Sequence, residues 1–382
     1  MARSLRHRTP AEGWRSWCTP GTVRAESIEH HQSSDNRLAE RVLIDEDLRR
    51  RTVFTTLLPH EYAHSWNGKD RRPTGLATGN YDSPMRGDLR WVYEGLTDYL
   101  GLILAARSGL ASVDDARDAW ADVAAVMQLH RGREWRPLQD TADGAQLGYL
   151  LPQDWIPFTR GTDFYREAAL LWLEADTLMR TKSQGVRSLD DFCRLFYGLP
   201  NTGPKVVPYD FEALIKALNT VLPYDWRGFW TGRLERIRAG APLEGLAASG
   251  WRLGYAEEPS PVQKGEATMW KETDLGSSLG FYLLDEGAVI NYLVPGSPAD
   301  QAGLTPGSKL VAVNGRRYSK DILQDALKAG AAEPRTMSLL VERDDNFRTA
   351  ELRYAGHARY PRLERDAAHP DLLTAIESPL TR

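Results

Sequence analysis

The residues predict an α+β fold in two parts, a mostly helical region followed by a smaller strand-rich one. Three observations carry this. Helix-length apolar segments with capping residues recur between residues 91 and 239. From Leu279 onward short apolar runs alternate with tight turns, interrupted by one helical stretch at 319–329. The apolar run Val53-Phe54-Thr55-Thr56-Leu57-Leu58 leads into the pentapeptide His60-Glu61-Tyr62-Ala63-His64. At 382 residues the chain is long enough for two or three cores. A 42% apolar and 26% charged composition is ordinary for a globular protein, and twelve tryptophans point to large aromatic cores. A formal net charge of −4 gives no reason to expect nucleic acid or an anionic membrane as partner. No run approaches the roughly 20 apolar residues of a membrane span. Only Cys18 and Cys193 are present, so no disulfide framework is expected, and neither sits in a metal-ligand spacing.

Taken in order, residues 1–25 are basic and unpatterned, and they read as a disordered leader. They contain no apolar core of a secretory signal. Residues 25–36 read as a strand followed by a polar loop. Residues 45–58 read as the helix entering the pentapeptide, with Pro59 predicting a kink or a fresh start there. Residues 67–89 are rich in Gly and Pro and read as loop. Helices are expected at 91–108, capped by Gly109, and at 112–130. After an irregular segment at 131–158, further helices are expected at 162–181, 188–196, 210–221 and 226–239. Residues 250–275 read as short strand-like pieces around a Glu- and Pro-rich break, and the tail from 360 reads as an extended arm on the body.

The pentapeptide carries the chemistry. On a helix His60 and His64 stand one turn apart on one face and can hold a single Zn²⁺, with Glu61 beside them to take a proton from water. A helix bearing this pattern commonly means a zinc peptidase. A catalytic zinc takes three protein ligands and keeps one position open. The best third ligand is Glu94, in Trp91-Val92-Tyr93-Glu94-Gly95-Leu96-Thr97-Asp98-Tyr99. The competing reading is a first-turn glutamate favoured by the helix dipole. Asp98, one turn further on the same face, would accept the free ring N–H of a ligating histidine.

These residues, with Ser65-Trp66-Asn67-Gly68-Lys69 and Arg72-Pro73, resemble the glycyl aminopeptidase family of gluzincin metallopeptidases. Ser27-Ile28-Glu29-His30-His31-Gln32-Ser33-Ser34 resembles that family's G-x-x-E-H-x-x-S strand, with Ser27 in the glycine position. Phe164-Tyr165-Arg166-Glu167-Ala168-Ala169-Leu170 resembles its Y-x-x-G-A-L helix, with Ala168 for glycine. Ser188-Leu189-Asp190-Asp191-Phe192 and Tyr224-Asp225-Trp226 are further landmarks. The resemblance implies a thermolysin-like, mostly helical peptidase domain over 26–240, removing small N-terminal residues from peptides with Zn²⁺ as cofactor. It implies that Glu29 binds the free α-amino group and that Tyr165 donates to the oxyanion. Family members carry a β-rich domain before the Glu29 strand. Only about 25 residues precede it here, so that strand is expected to lack sheet neighbours. Members are often exported to the periplasm, but the compartment of this chain is open.

Leu279-Gly280-Phe281-Tyr282, with the downstream run from Val294 to Gly315, resembles a PDZ domain, expected over 250–356 as a barrel-like sheet followed by the tail 357–382. Its implied role is capture of a C-terminal peptide, with the backbone of Leu279, Gly280 and Phe281 receiving the carboxylate. A structural brace is the equal alternative. Gly276-Ser277-Ser278-Leu279-Gly280 also fits G-x-S-x-G, but strand rather than helix follows it, which excludes a serine-hydrolase elbow. Two other functions stay open: a binding protein working through the PDZ domain, and a zinc endopeptidase, for which Glu29 would have no amine to bind.

Overall fold

The computed structural model describes residues 15–20, 26–38, 40–49, 52–148, 150–198, 200, 203–330 and 333–380. A small sheet opens the chain. Strands β1 (Arg15–Pro20), β2 (Glu26–Glu29) and β3 (Ser33–Leu38) lie in the order β1-β3-β2. β2 and β3 form an antiparallel pair with Glu29 opposite Ser34, and β1 runs parallel to β3. This corrects two expectations. Part of the leader is a strand, the remainder of 1–25 lying outside the described residues, and the strand carrying Glu29 has a sheet neighbour. The expected loop after Glu29 supplies that neighbour, because residues 33–38 alternate buried and exposed side chains along β3.

Helix α1 (Thr52–Ala63) follows and carries the pentapeptide. It runs through Pro59 without interruption. Leu57 and Leu58 pack with Leu38 and Val42, which fastens the sheet to α1. Strand β4 (Arg71–Pro73) pairs in parallel with β5 (Val207–Tyr209) across the base of the lobe. Helices α2 (Arg90–Tyr93) and α3 (Gly95–Ser108) meet at Glu94, which keeps right-handed helical dihedrals. The single helix expected from 91 thus becomes two pieces joined at the candidate ligand. Gly109 ends α3 at φ +79°, a conformation glycine adopts without a Cβ penalty.

Helix α4 (Val113–Leu129) starts under a Ser112 cap, α5 (Arg166–Lys182) is largely buried in the main core, and α6 (Leu189–Tyr197) opens with a Ser188/Asp191 capping box. Helices α7 (Phe211–Val221) and α8 (Trp226–Leu234) are capped by Asp210 and Asp225. Segment 131–158, expected to be irregular, contains several short helical turns. Trp91, Trp172 and Trp230 meet at the centre with ring centroids 4.4–5.9 Å apart, and the Trp172 indole N–H donates to the Trp91 carbonyl at 3.0 Å.

The strand-rich part hangs from this lobe by two strands. β6 (Trp251–Ala256) leads out into α9 (Pro261–Trp270), a helix where strand-like pieces were expected; Pro261 at its first turn and the Ser260/Gln263 capping box explain the start. β7 (Glu272–Leu275), β8 (Phe281–Leu284), β9 (Val289–Leu293) and β10 (Lys309–Val313) follow, with the two-residue β11 (Arg316–Arg317) beside β10. Helix α10 (Lys320–Ala329), β12 (Arg335–Arg343) and β13 (Asn346–Tyr354) complete the unit. The sheet order is β13-β12-β10-β9-β8-β7, an open path rather than a closed barrel.

The tail does not form an extended arm. β14 (Tyr360–Arg365) pairs antiparallel with β6, and α11 (Leu372–Glu377) returns to the helical lobe. Leu373 and Ile376 are fully buried in the main core. Their spacing of three places both on one helix face, and the surrounding charges hide this pattern in the sequence. Leu373→Ala or Ile376→Ala should destabilise the helical lobe by about 2–5 kcal/mol, read as a lower urea midpoint of its unfolding transition.

Candidate metal centre and cleft

Helix α3 is wedged between α1 and α5, and two glycines permit this. A Cβ at Gly101 would lie 3.1 Å from the Thr56 carbonyl oxygen and 3.2 Å from the His60 Cβ. A Cβ at Gly95 would lie 2.3 Å from the Ala168 Cβ. This close approach brings Glu94 against the two histidines. His60, His64 and Glu94 are all buried, and their ligand atoms lie within 4.8 Å of one another.

The tautomers follow from the outer partners. The His64 Nδ1 is 2.9 Å from the Asn67 carbonyl, which can only accept, so the ring proton sits on Nδ1. The His60 Nδ1 faces the Asp98 carboxylate at 3.3 Å, which fixes the same tautomer. In the neutral rings both Nε2 lone pairs then face each other at 3.1 Å, with the Glu94 Oε2 at 3.3 Å from one and 3.6 Å from the other. That oxygen is buried and has no hydrogen-bond partner among the described residues. Three lone-pair donors converging on one point repel each other unless positive charge lies between them.

The electrostatics say the same. Burial alone would lower the pKa of His60, yet Asp98 and Glu94 reverse this and raise it to about 10. Burial would raise the Glu94 carboxyl, but His60 and His64 hold it well below the usual carboxylate range. Positive charge between these groups, a proton on His60 or a metal ion, relieves the repulsion, and two imidazoles with one carboxylate are a donor set suited to zinc.

Glu61 lies on α1 beside the trio. Burial raises its pKa, and its Oε2 is buried without a hydrogen-bond partner among the described residues. Glu29 closes one end of the cleft, its carboxylate within 4.8 Å of the Glu61 and His64 ligand atoms. The Tyr93 hydroxyl donates to its Oε1, and the Lys69 ammonium lies 3.3 Å from the same oxygen. Burial works against ionisation of Glu29, but His64, Lys69 and Tyr93 together lower its pKa. At the other end the Tyr165 ring stacks on His60 at 6.1 Å between centroids. These side chains line one cavity of about 300 Å³.

Several supporting residues carry no ligand pattern of their own. The Asn67 side-chain amide donates to the Val92 carbonyl at 2.8 Å and to the Thr97 hydroxyl at 3.0 Å, bolting the end of α1 to the Glu94 junction. Gly68, at φ +138° and with the Tyr93 ring 2.8 Å from where a Cβ would stand, makes the turn that leads into Lys69. Arg90 reaches the second oxygen of Glu94 at 3.3 Å. The Asn67-Gly68 dipeptide marks a turn in the sequence; nothing there says which carbonyls it reaches.

The PDZ-type loop differs from its expected role. The N–H groups of Leu279 and Gly280 donate to the Leu275 carbonyl at 2.8 and 2.9 Å, and their carbonyls accept from Ala299 and Val294. Leu279 and Phe281 are buried. β7 lies along the β8 edge in the register Leu275 to Phe281, the edge at which an added peptide strand would pair. The tight turn at 276–280 lets the chain fill its own groove.

Residues 53–171 match the M61 glycyl aminopeptidase family, and residues 289–343 match the PDZ domain family. The resemblance read from the motifs is borne out over these spans. No curated protein matches the chain. A crystal structure of an aminopeptidase N family protein from Idiomarina loihiensis superposes with a TM-score of 0.79 over 99% of this chain, at 18% identity. The chain spans 64% of the length of that protein, and at this identity the likeness speaks for the fold.

If Asp98 orients His60 as a zinc donor, Asp98→Asn should weaken zinc binding about 10–100-fold in competition with a chromogenic chelator. His64→Ala should abolish stoichiometric binding. An unchanged affinity in Asp98→Asn would remove Asp98 from the site.

Proposed function

We propose that this chain, whose residues 53–171 carry the M61 glycyl aminopeptidase match, is a zinc-dependent aminopeptidase that removes small N-terminal residues from peptides. The observation that carries the reading is one cleft holding a charge-hungry His60–His64–Glu94 trio, an unpaired glutamate oxygen beside it on Glu61, and a carboxylate, Glu29, closing one end.

His60, His64 and Glu94 would hold the zinc ion, which when bound supplies a water of lowered pKa and polarises a carbonyl. The chain's own groups do the rest. Glu29 anchors the α-ammonium of the substrate; Tyr93 and Lys69 both hold its Oε1, and neither of these two contacts uses Oε2. Glu61, its pKa raised by burial, accepts the proton of the attacking water and passes it to the leaving amine. The Tyr165 hydroxyl donates to the oxyanion that develops on the scissile carbonyl. The preference for a small first residue such as glycine or alanine rests on the likeness to the M61 glycyl aminopeptidase family.

An endopeptidase would need the Glu29 end of the cleft open to further residues. There Glu29, bonded by Lys69 and Tyr93, presents charge where such a chain would bring neutral backbone. A PDZ receptor for free C-termini would need the Leu279 and Gly280 N–H groups that Leu275 already occupies. We therefore read the PDZ unit as a brace on the catalytic lobe. Among the described residues no helix is long and apolar enough to cross a membrane.

Glu61→Gln should retain one zinc per chain and lose about 10²–10⁴-fold in kcat on glycyl-p-nitroanilide. Glu29→Gln should raise KM for that substrate with a smaller change in kcat, and an N-acetylated glycyl substrate should not be cleaved by the wild type. Turnover of the acetylated substrate would overturn the aminopeptidase reading in favour of an endopeptidase. Full activity in Glu61→Gln would overturn the assignment of the base.

A further inference from the structure

The seam between the helical lobe and the PDZ sheet encloses a second cavity, of about 680 Å³. Its walls come from α4 on one side and from α9, β7, β8, β9 and α10 on the other. Arg166 lines both this cavity and the catalytic cleft.

The contacts around the trio give the cleft a direction. Glu29 is bonded to Tyr93, whose ring lies 5.0 Å from that of His64. Tyr165 stacks instead on His60, and Arg166 is the next residue. The cleft therefore runs from Glu29, past His64 and His60, to Tyr165 and Arg166. A peptide with its ammonium at Glu29 and its first carbonyl at the trio points its remaining residues toward Arg166 and the seam.

We propose that the seam cavity receives the part of the substrate downstream of the cleaved bond and favours lysine or arginine there. This rests on the aminopeptidase reading. The position of the cavity gives the first half. Its lining gives the second. The charge of Arg166 is already matched by Asp122 at 3.1 Å. Beyond it Glu266, Glu272, Asp274 and Asp285 line the space, and with the other acidic residues of the wall they outnumber its lysines. Burial raises the Glu272 carboxyl to about 7, with Asp274 and Asp285 adding to the effect, and burial raises Asp274 to about 6. Carboxylates crowded against one another in a sheltered cavity favour an entering cation. Tyr282 and Tyr292, stacked at 4.1 Å, offer apolar surface for the stem of such a side chain. The PDZ unit then contributes to substrate choice through the outer side of β7 rather than through its carboxylate loop.

The test is kcat/KM for glycyl tetrapeptides carrying one lysine or one glutamate at the second, third or fourth position, with glycyl-p-nitroanilide as the reference substrate. The lysine peptides should be favoured about tenfold at one or more positions, chiefly through KM, and the ratio should shrink as salt is raised. Glu272→Gln and, separately, Glu266→Gln should each lower the lysine-to-glutamate ratio, to threefold or less when combined. Equal cleavage of the two peptide sets, or a ratio that survives both substitutions, overturns this inference alone. Failure to cleave glycyl-p-nitroanilide overturns the aminopeptidase reading and this inference with it.

Discussion

The structure turns on a local conflict: three buried lone-pair donors on two helices aimed at one point. The Nε2 atoms of His60 and His64 stand 3.1 Å apart, and the Glu94 carboxylate completes the triangle. In water such groups would turn away from each other. Here the Asn67 carbonyl and the Asp98 carboxylate hold the far side of each ring, so the lone pairs cannot rotate out. The arrangement is costly without a cation and preorganised for one. A metal ion bound there would link folding stability to metal affinity in this lobe.

Holding that geometry is the task of the surrounding core. α3 must approach α1 and α5 closely enough for Glu94 to meet the histidines, and Gly101 and Gly95 set those two distances. On the opposite wall Tyr165 packs against the main core and the Phe164 ring, and buried ion pairs flank it on both sides. Asp163, two residues before it, is bonded to His130 and Arg160, and Glu167, two residues after it, to Arg133 and Arg160. Arg160 is fully buried, so removing either carboxylate would strand a charge in the interior. This network fixes the N-terminus of α5 and with it the approach of the Tyr165 hydroxyl to the cleft.

The metal trio was legible in the sequence because its signal is local. His60 and His64 share a helix at a four-residue spacing, and Glu94 opens the next apolar helix. Glu29 and Tyr165 were reachable only through resemblance, since no spacing rule joins them to the pentapeptide. Asn67 and Lys69 had no chemical pattern of their own; their importance lies in which distant carbonyls and carboxylates the turn at Gly68 reaches. The sequence misled where pairing partners are remote. Residues 33–38 read as a polar loop because serine, asparagine and arginine dominate, yet they are the central strand of the first sheet. The tail read as an arm because its ties are remote, the β14–β6 pairing and the burial of Leu373 and Ile376, and two buried side chains amid charge do not make a pattern.

The PDZ unit likewise depends on where its remote pairing partners lie. A peptide-binding groove needs a free strand edge and free N–H groups at its end. In this chain β7 pairs along β8, and the Leu275 carbonyl takes the N–H groups of Leu279 and Gly280. The other side of β7 faces the helical lobe, with Glu272 and Asp274 on the wall of the seam cavity. The unit is tied at both ends to the lobe through the β6–β14 pair. The cavity wall that this unit supplies adjoins Arg166, which also lines the cleft of the trio.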